Sequence, residues 1–378
     1  MPAVDTYTPE PNLLERKFAD YLAQHCAKQG AADHPSSVRI AQIRRTTRWV
    51  IALSALAGVI SGGLIGGSEI WMRQNMLDGM DATDWRETWR YWSVFYILVG
   101  VVSAVEIGIL YAIALRGVAR VAYQSGLSIT HDAGRMLFAH SLARTALEFP
   151  SPQVSVYGID PYAHVANWKR TALNIAYKLK VGVSSFVLRV FLRRLVARTA
   201  IRSMVPLLAG PLYAVWNAYI IGRIMSEAQV RTLGPFAVDM LIKSHFKDAT
   251  ALPAQERDVV LHAAGEMLTR GQDAHPNQVY LLNELRIALG LRADIALDWP
   301  AMRRHLSEFD AAGQARVLDV LTVSCLIGAR MRREQMALLR DACKDCDAAL
   351  NEARLKALRK AFKHGKALTI SQLSDTRS

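Results

Sequence analysis

From Trp49 to Ser68 the chain reads WVIALSALAGVISGGLIGGS, 20 residues without a charged side chain. Coiled as an α-helix, such a run rises about 30 Å, the thickness of the hydrocarbon core of a bilayer. Peptide groups in hydrocarbon find no water to bond, so the stretch is confined to a helix whose amides satisfy one another. A second apolar run, Tyr91 to Leu115, is broken only by Glu106. Trp71, Trp85, Trp89 and Trp92 flank the polar segment between the two runs, the aromatic enrichment expected at a membrane–water boundary. Together these features predict a transmembrane helical hairpin at residues 39–120, with spans at about 49–68 and 91–115. The alternative, a greasy hairpin inside a soluble domain, would normally carry polar positions along helices of this length.

The flanking charges give the hairpin a direction. Arg39, Arg44, Arg45 and Arg48 precede the first span, and Arg116 and Arg120 follow the second. The connecting segment holds Glu69, Asp78, Asp81, Asp84 and Glu87 against Arg73, Arg86 and Arg90. The positive-inside rule then places both termini in the cytoplasm. Residues 1–38 read as a cytoplasmic N-terminal segment, since the first apolar run begins too late for a cleaved signal peptide. Four cysteines, Cys26, Cys325, Cys343 and Cys346, are too few for a secreted disulfide framework and fit a reducing compartment.

A formal net charge of +13 suits either a nucleic acid or the anionic inner leaflet. No nucleic-acid-binding motif is present, so the bilayer is the expected partner. Arg44, Arg45 and Arg48 beside the first span are expected to touch lipid headgroups, as are Arg194, Arg198 and Arg202, which share one helical stripe at four-residue spacing.

Two features inside the hairpin could carry function. Gly58, Gly62 and Gly66 form a ridge at four-residue spacing, widened by Gly63 and Gly67. Such a ridge admits a second helix backbone, either from another copy in a homo-oligomer or from the hairpin's own second span. A carboxyl at mid-membrane, Glu106, must be protonated, paired or facing water. A protonated glutamic acid locking helix to helix is expected, with Ser54 or Ser61 at matching depth as partner; an ion path is the alternative.

Residues 121–250 read as a helical, membrane-proximal region. Within it Ser203 to Gly222 again lacks charge, but Pro206, Gly210 and Pro211 interrupt it, so a re-entrant or interfacial segment is expected rather than a third span. Arg198 to Gly234, with its R-x-x-x-R, PLLAGPLYAVWNAY and RIMSEAQVRTLG runs, resembles EcsC-like proteins and other bacterial membrane-associated families. This resemblance implies a location at the bacterial inner membrane and no particular reaction; Asn217 and Glu227 are the polar positions it singles out.

Residues 251–378 repeat themselves at an offset of 57: Val260 lies over Val317, Leu261 over Leu318, Gly271 over Gly328, and Leu281–Leu282 over Leu338–Leu339. Each copy reads as helix, glycine turn, helix, and two such αα-hairpins make an all-α bundle. The pattern resembles the TerB-like domain of tellurite-resistance and stress proteins. That family places an acid before each glycine and another six residues after it. Here Arg270, Ile327, Asn277 and Glu334 occupy those positions, leaving Glu334 alone of the four acids. The resemblance therefore implies a helical interaction module with a protein partner, and no metal.

No phosphate-binding, dinucleotide-binding, nucleophile-elbow or zinc-protease motif occurs. Cys343-x-x-Cys346 lacks a second ligand pair for zinc and a preceding strand for redox chemistry, so it reads as two thiols on a surface helix. His131–Asp132 is a pair by adjacency only. The basic run Arg354, Lys356, Arg359, Lys360, Lys363 and Lys366 reads as the solvated face of a terminal helix, or as a membrane-surface contact. No cofactor is expected. The sequence thus points to a membrane-anchored scaffold, with envelope stress as its expected setting, or alternatively to a small oligomeric channel built on the glycine ridge and Glu106.

Overall fold

Among the described residues every regular element is a helix, and the architecture is all-α. The structure, a computed structural model, describes residues 11–26, 35–76, 85–127, 133–149, 155–166, 168, 205–248, 251–291 and 294–377. A short N-terminal helix α1 (Leu13–Cys26) is followed by the two long helices α2 (Ser37–Met76) and α3 (Trp85–Ser125). Both are long and apolar enough to cross a membrane. Much of their apolar surface is uncovered: only 39% and 22% of their most apolar windows are buried. Leu53, Leu56, Ile60 and Leu64 of α2 and Ile97, Val101, Val105 and Ile109 of α3 face outward, a contiguous apolar surface that water would disfavour. Trp49 stands exposed at one end of this belt, and Trp71, Trp85 and Trp89 at the other.

After α4 (Ala133–Ala146) comes the element that organises the molecule, α5 (Val205–His245), 41 residues long. The breaks expected at Gly210 and Pro211 do not occur, because the helix runs through Pro211 and Pro235. Its first half lies antiparallel along α2. Gly210 approaches the Val59 carbonyl, Tyr213 sits on Gly58, and Gly222 is beside Ile51. Further along, Gln229 Nε2 donates to Thr47 Oγ1 at 2.7 Å. The uncharged 205–222 stretch is thus a third helix packed along the hairpin.

The second half of α5 enters the C-terminal bundle. One continuous core takes in Ile43 and Val50 of α2, Ala114, Val118 and Val121 of α3, and Met225, Val238 and Leu241 of α5, and extends through the bundle. A separate small cluster of Ile65, Met72, Tyr91, Phe95, Val99 and Tyr213 closes the hairpin's far end. The N-terminal helix is tied on by Glu15, which accepts from Arg144 Nε of α4 at 2.7 Å and lies 3.5 Å from His140 Nδ1. Burial would raise the Glu15 pKa, but these two partners outweigh it and hold the carboxyl below its ordinary value.

The bundle is built from two helical hairpins, α6–α7 (Ala254–Gly271, Pro276–Ala288) and α9–α10 (Ala311–Ile327, Arg333–Asp345). Between them sit the short α8 (Trp299–Arg303) and a 3₁₀ turn (Arg304–Glu308); α11 (Glu352–Lys363) and α12 (Ile370–Ser374) complete it. Local chemistry sets the starts: Pro276 opens α7, and the side chains of Asp310, Asn351 and Thr369 cap α9, α11 and α12. The 57-residue offset carries Ala254 to Ala311, Pro276 to Arg333 and Ala288 to Asp345, so the internal repeat is a structural repeat.

The two copies exchange equivalent hydrogen bonds. Gln278 Nε2 of α7 donates to the Ser324 carbonyl of α9 at 2.9 Å, and Gln335 Nε2 of α10 donates to the Met267 carbonyl of α6 at 2.9 Å. Both glutamines are buried. Gly271 and Gly328 serve this crossing rather than a turn. A Cβ on Gly271 would stand 3.0 Å from Gln335 Nε2, and one on Gly328 would stand 3.1 Å from Gln278 Nε2. The left-handed residue after α6 is Gln272 (φ 49°), not the glycine. Gln278→Ala and Gln335→Ala are each expected to cost about 1–2 kcal/mol. Since both side chains meet at Gly271, the double variant should depart from additivity. Denaturant unfolding of the full chain in detergent measures all three.

Candidate functional site

Among the described residues, two places that combine polar side chains with the apolar hairpin stand out. The first lies within the apolar layer. Glu106 of α3 is buried, and its Oε1 accepts a hydrogen bond from Asn217 Nδ2 of α5 at 2.8 Å. The partners expected from sequence do not fill this role: Ser54 Oγ donates to the Ile51 carbonyl at 2.7 Å and Ser61 Oγ to the Gly58 carbonyl at 3.2 Å, both within α2. The sequence singles out Asn217 but does not pair it with Glu106, because that pairing depends on α5 lying along the hairpin. A double-mutant cycle with Glu106→Ala and Asn217→Ala is expected to return a coupling of about 1 kcal/mol, the scale of interhelical hydrogen bonds in membranes. Detergent unfolding measures it, and a coupling near zero would contradict the bond.

The glycine ridge divides by face. A Cβ on Gly58 would lie 2.6 Å from the Tyr213 carbonyl carbon and 2.7 Å from the Ala214 nitrogen of α5, so this glycine seats α5. Gly62 and Gly66 are buried, whereas Gly63 and Gly67 are exposed and a Cβ on either would meet nothing within 4 Å.

The second place is a groove of about 970 Å³ at the basic end of α2. One wall is a single face of α2, where Ile40, Arg44, Arg45, Arg48, Trp49 and Ala52 recur at helical spacing. The other wall is the loop after α11, residues 364–367. Arg44 Nη2 donates to the His364 carbonyl at 2.7 Å and bridges the walls. Gly365 takes φ +85°, and a Cβ there would stand 2.7 Å from Ile40 Cδ1 and Cγ2. A loop turned this way and pressed this close favours glycine. Arg45, Arg48 and Lys366 are exposed, and among the described residues none that lines the groove is acidic.

Where α5 meets the bundle, Glu227 Oε1 accepts from Arg231 Nε at 2.9 Å and lies 3.0 Å from His275 Nε2. Burial alone would raise its pKa; the Arg231 charge and the His275 bond reverse this and hold it well below the carboxylate range. Asn277 donates to the Val230 carbonyl at 2.8 Å and the Ile327 carbonyl at 3.0 Å, which makes it a joint between α5, α7 and α9. Asp319, fully buried in α9, holds His245 Nε2 at 2.8 Å and the Arg377 guanidinium.

No family model, curated protein or solved structure matches the chain.

Two sequence readings change. Arg359 is not on a solvated face: it is buried and donates to the carbonyls of Cys325 (3.2 Å), Leu326, Gly328 (2.7 Å) and Ala329 (2.8 Å), closing the C-terminus of α9. Cys343 is not a surface thiol either. It is fully buried, and burial pushes it up to about 11; Cys325 is pushed up to about 12. At these values neither thiol is ionised at neutral pH, so neither is nucleophilic. Glu334 is exposed at the start of α10, and among the described residues no group of three or more His, Cys, Asp or Glu side chains could hold a metal. Arg194, Arg198 and Arg202, and His131–Asp132, lie outside the described residues.

Proposed function

We propose that this protein is a scaffold of the bacterial inner membrane, with α2 and α3 crossing the bilayer, both ends of the hairpin cytoplasmic, and residues 251–377 forming a TerB-like module that binds a cytoplasmic protein. The observation that carries the reading is α5. One 41-residue helix packs on the apolar hairpin with its first half and enters the bundle core with its second. A bundle so joined is held at a set height and orientation over the membrane, as a scaffold requires and a loosely tethered domain does not. Charge bias and tryptophan placement support the orientation.

Gly58 seats α5 and Glu106 is bonded to Asn217, and this packing favours the scaffold over a small oligomeric channel. Gly63 and Gly67 remain open on the outer face and are where a homo-oligomer contact would form. Photo-crosslinkers placed at Arg333 and Lys356 of the full chain in membranes test the scaffold reading. A specific cytoplasmic protein is expected at these bundle positions and not at Val101. Crosslinks only to lipid or to the chain itself would overturn it.

A further inference from the structure

We infer that the groove between α2 and the 364–367 loop is a binding site for one anionic phospholipid, its phosphate held by Arg45, Arg48 and Lys366 and its upper acyl chain lying along Trp49 and Ala52. This rests on the reading of α2 as a membrane span, and goes beyond it by making a defined headgroup site from two parts of the chain more than 300 residues apart.

Four observations lead to it. The groove sits where the charged part of α2 meets its apolar part, so one end lies at headgroup depth and the other at the start of the hydrocarbon. Its described lining carries four cations, Arg44, Arg45, Arg48 and Lys366, and among the described residues no carboxylate. Cations gathered without an acid repel one another unless an anion joins them, and guanidinium groups suit a phosphate's oxygens in a fork geometry. One of the four is already committed: Arg44 holds the loop through the His364 carbonyl, leaving Arg45, Arg48 and Lys366 to face a ligand. Finally, the loop is built to stay, since Gly365 takes a left-handed φ that disfavours other residues and is seated on Ile40. The site is therefore formed before the lipid arrives, which lowers the ordering cost of binding. A soluble phosphate would use the cations but gain nothing from Trp49 and Ala52, and this favours the lipid.

The test uses the full chain purified in neutral detergent and follows thermal stability on adding phosphatidylglycerol, phosphatidylcholine or glycerol 3-phosphate. Phosphatidylglycerol is expected to stabilise the protein, with apparent affinity at least tenfold above that for phosphatidylcholine and little effect of glycerol 3-phosphate. Removing one cation should weaken the phosphatidylglycerol effect about fivefold. Arg45→Gln/Arg48→Gln removes two of the three; because these arginines also bear on insertion, Lys366→Gln, remote from the spans, provides a second variant. Equal response to both lipids, full response to glycerol 3-phosphate, or an unchanged response in Lys366→Gln and the double variant would each overturn the site. Alkaline extraction of membranes separates the two failures: a chain that is released refutes the span itself, whereas a retained chain without lipid preference refutes only the groove.

Discussion

Gly58→Ala is expected to part α2 from α5 and to destabilise the full chain by about 3 kcal/mol or more, the upper range for overpacking. The added methyl would lie 2.6 Å from both the carbonyl carbon and the carbonyl oxygen of Tyr213. Backbone, unlike the tip of a side chain, cannot swing aside, so α5 must move as a body. Moving it also pulls Asn217 away from Glu106 and Tyr213 away from the cluster around Phe95. The matched control is Gly63→Ala. There the methyl meets nothing within 4 Å, and alanine's better helix propensity should leave stability unchanged or slightly raised. Unfolding in mixed micelles measures both; equal effects at the two glycines would contradict the packing of α5 on this face.

Arg359→Ala is expected to cost about 3–5 kcal/mol, the range for removing one partner from a buried charged arrangement. The last carbonyls of any helix lack intrahelical donors, and α9 ends in the interior, where water cannot replace them. The Arg359 guanidinium reaches the carbonyls of Cys325, Leu326, Gly328 and Ala329. Burial lowers its pKa from the ordinary arginine value, yet four carbonyl partners at a helix C-terminus favour the charged form. Arg359→Lys should recover part of the loss, because an ammonium has the charge but not the planar fork. Circular dichroism during denaturation of the full chain reads the series; a cost below about 1 kcal/mol for alanine would show the cap to be dispensable.

What the sequence makes legible follows the range of the forces involved. The apolar runs of α2 and α3 are local and continuous, so length and composition alone delimit them. The bundle's repeat is legible because two copies with the same helix boundaries preserve the same spacing of apolar residues and glycines. Where distant segments meet, sequence reasoning fails. Proline at 211 argues for a break, yet α5 continues through it because packing along α2 outweighs the missing amide bond. Ser54 and Ser61 match Glu106 in depth, but Asn217 supplies the donor from a helix more than 100 residues away. Arg359 sits in a basic run that reads as solvated; only the position of α9's end reveals it as a cap. The groove is half legible: the sequence leads one to expect a headgroup contact at Arg44, Arg45 and Arg48 and offers a membrane-surface contact for the basic run ending in Lys366, but not that the two would face each other across one groove.

The central claim, that α2 and α3 cross a bilayer and return the chain to the side from which it started, is tested most directly by cysteine labelling in intact cells. Cys26, Cys325 and Cys343 are buried and Cys346 is only partly exposed, so Cys346→Ser provides a quiet background. In it, a membrane-impermeant maleimide is expected to label Glu87→Cys, at the acidic end of the hairpin, from outside. Lys356→Cys, on the bundle, should react only after the cells are permeabilised. Labelling of both positions in intact cells, or of neither, would contradict the hairpin.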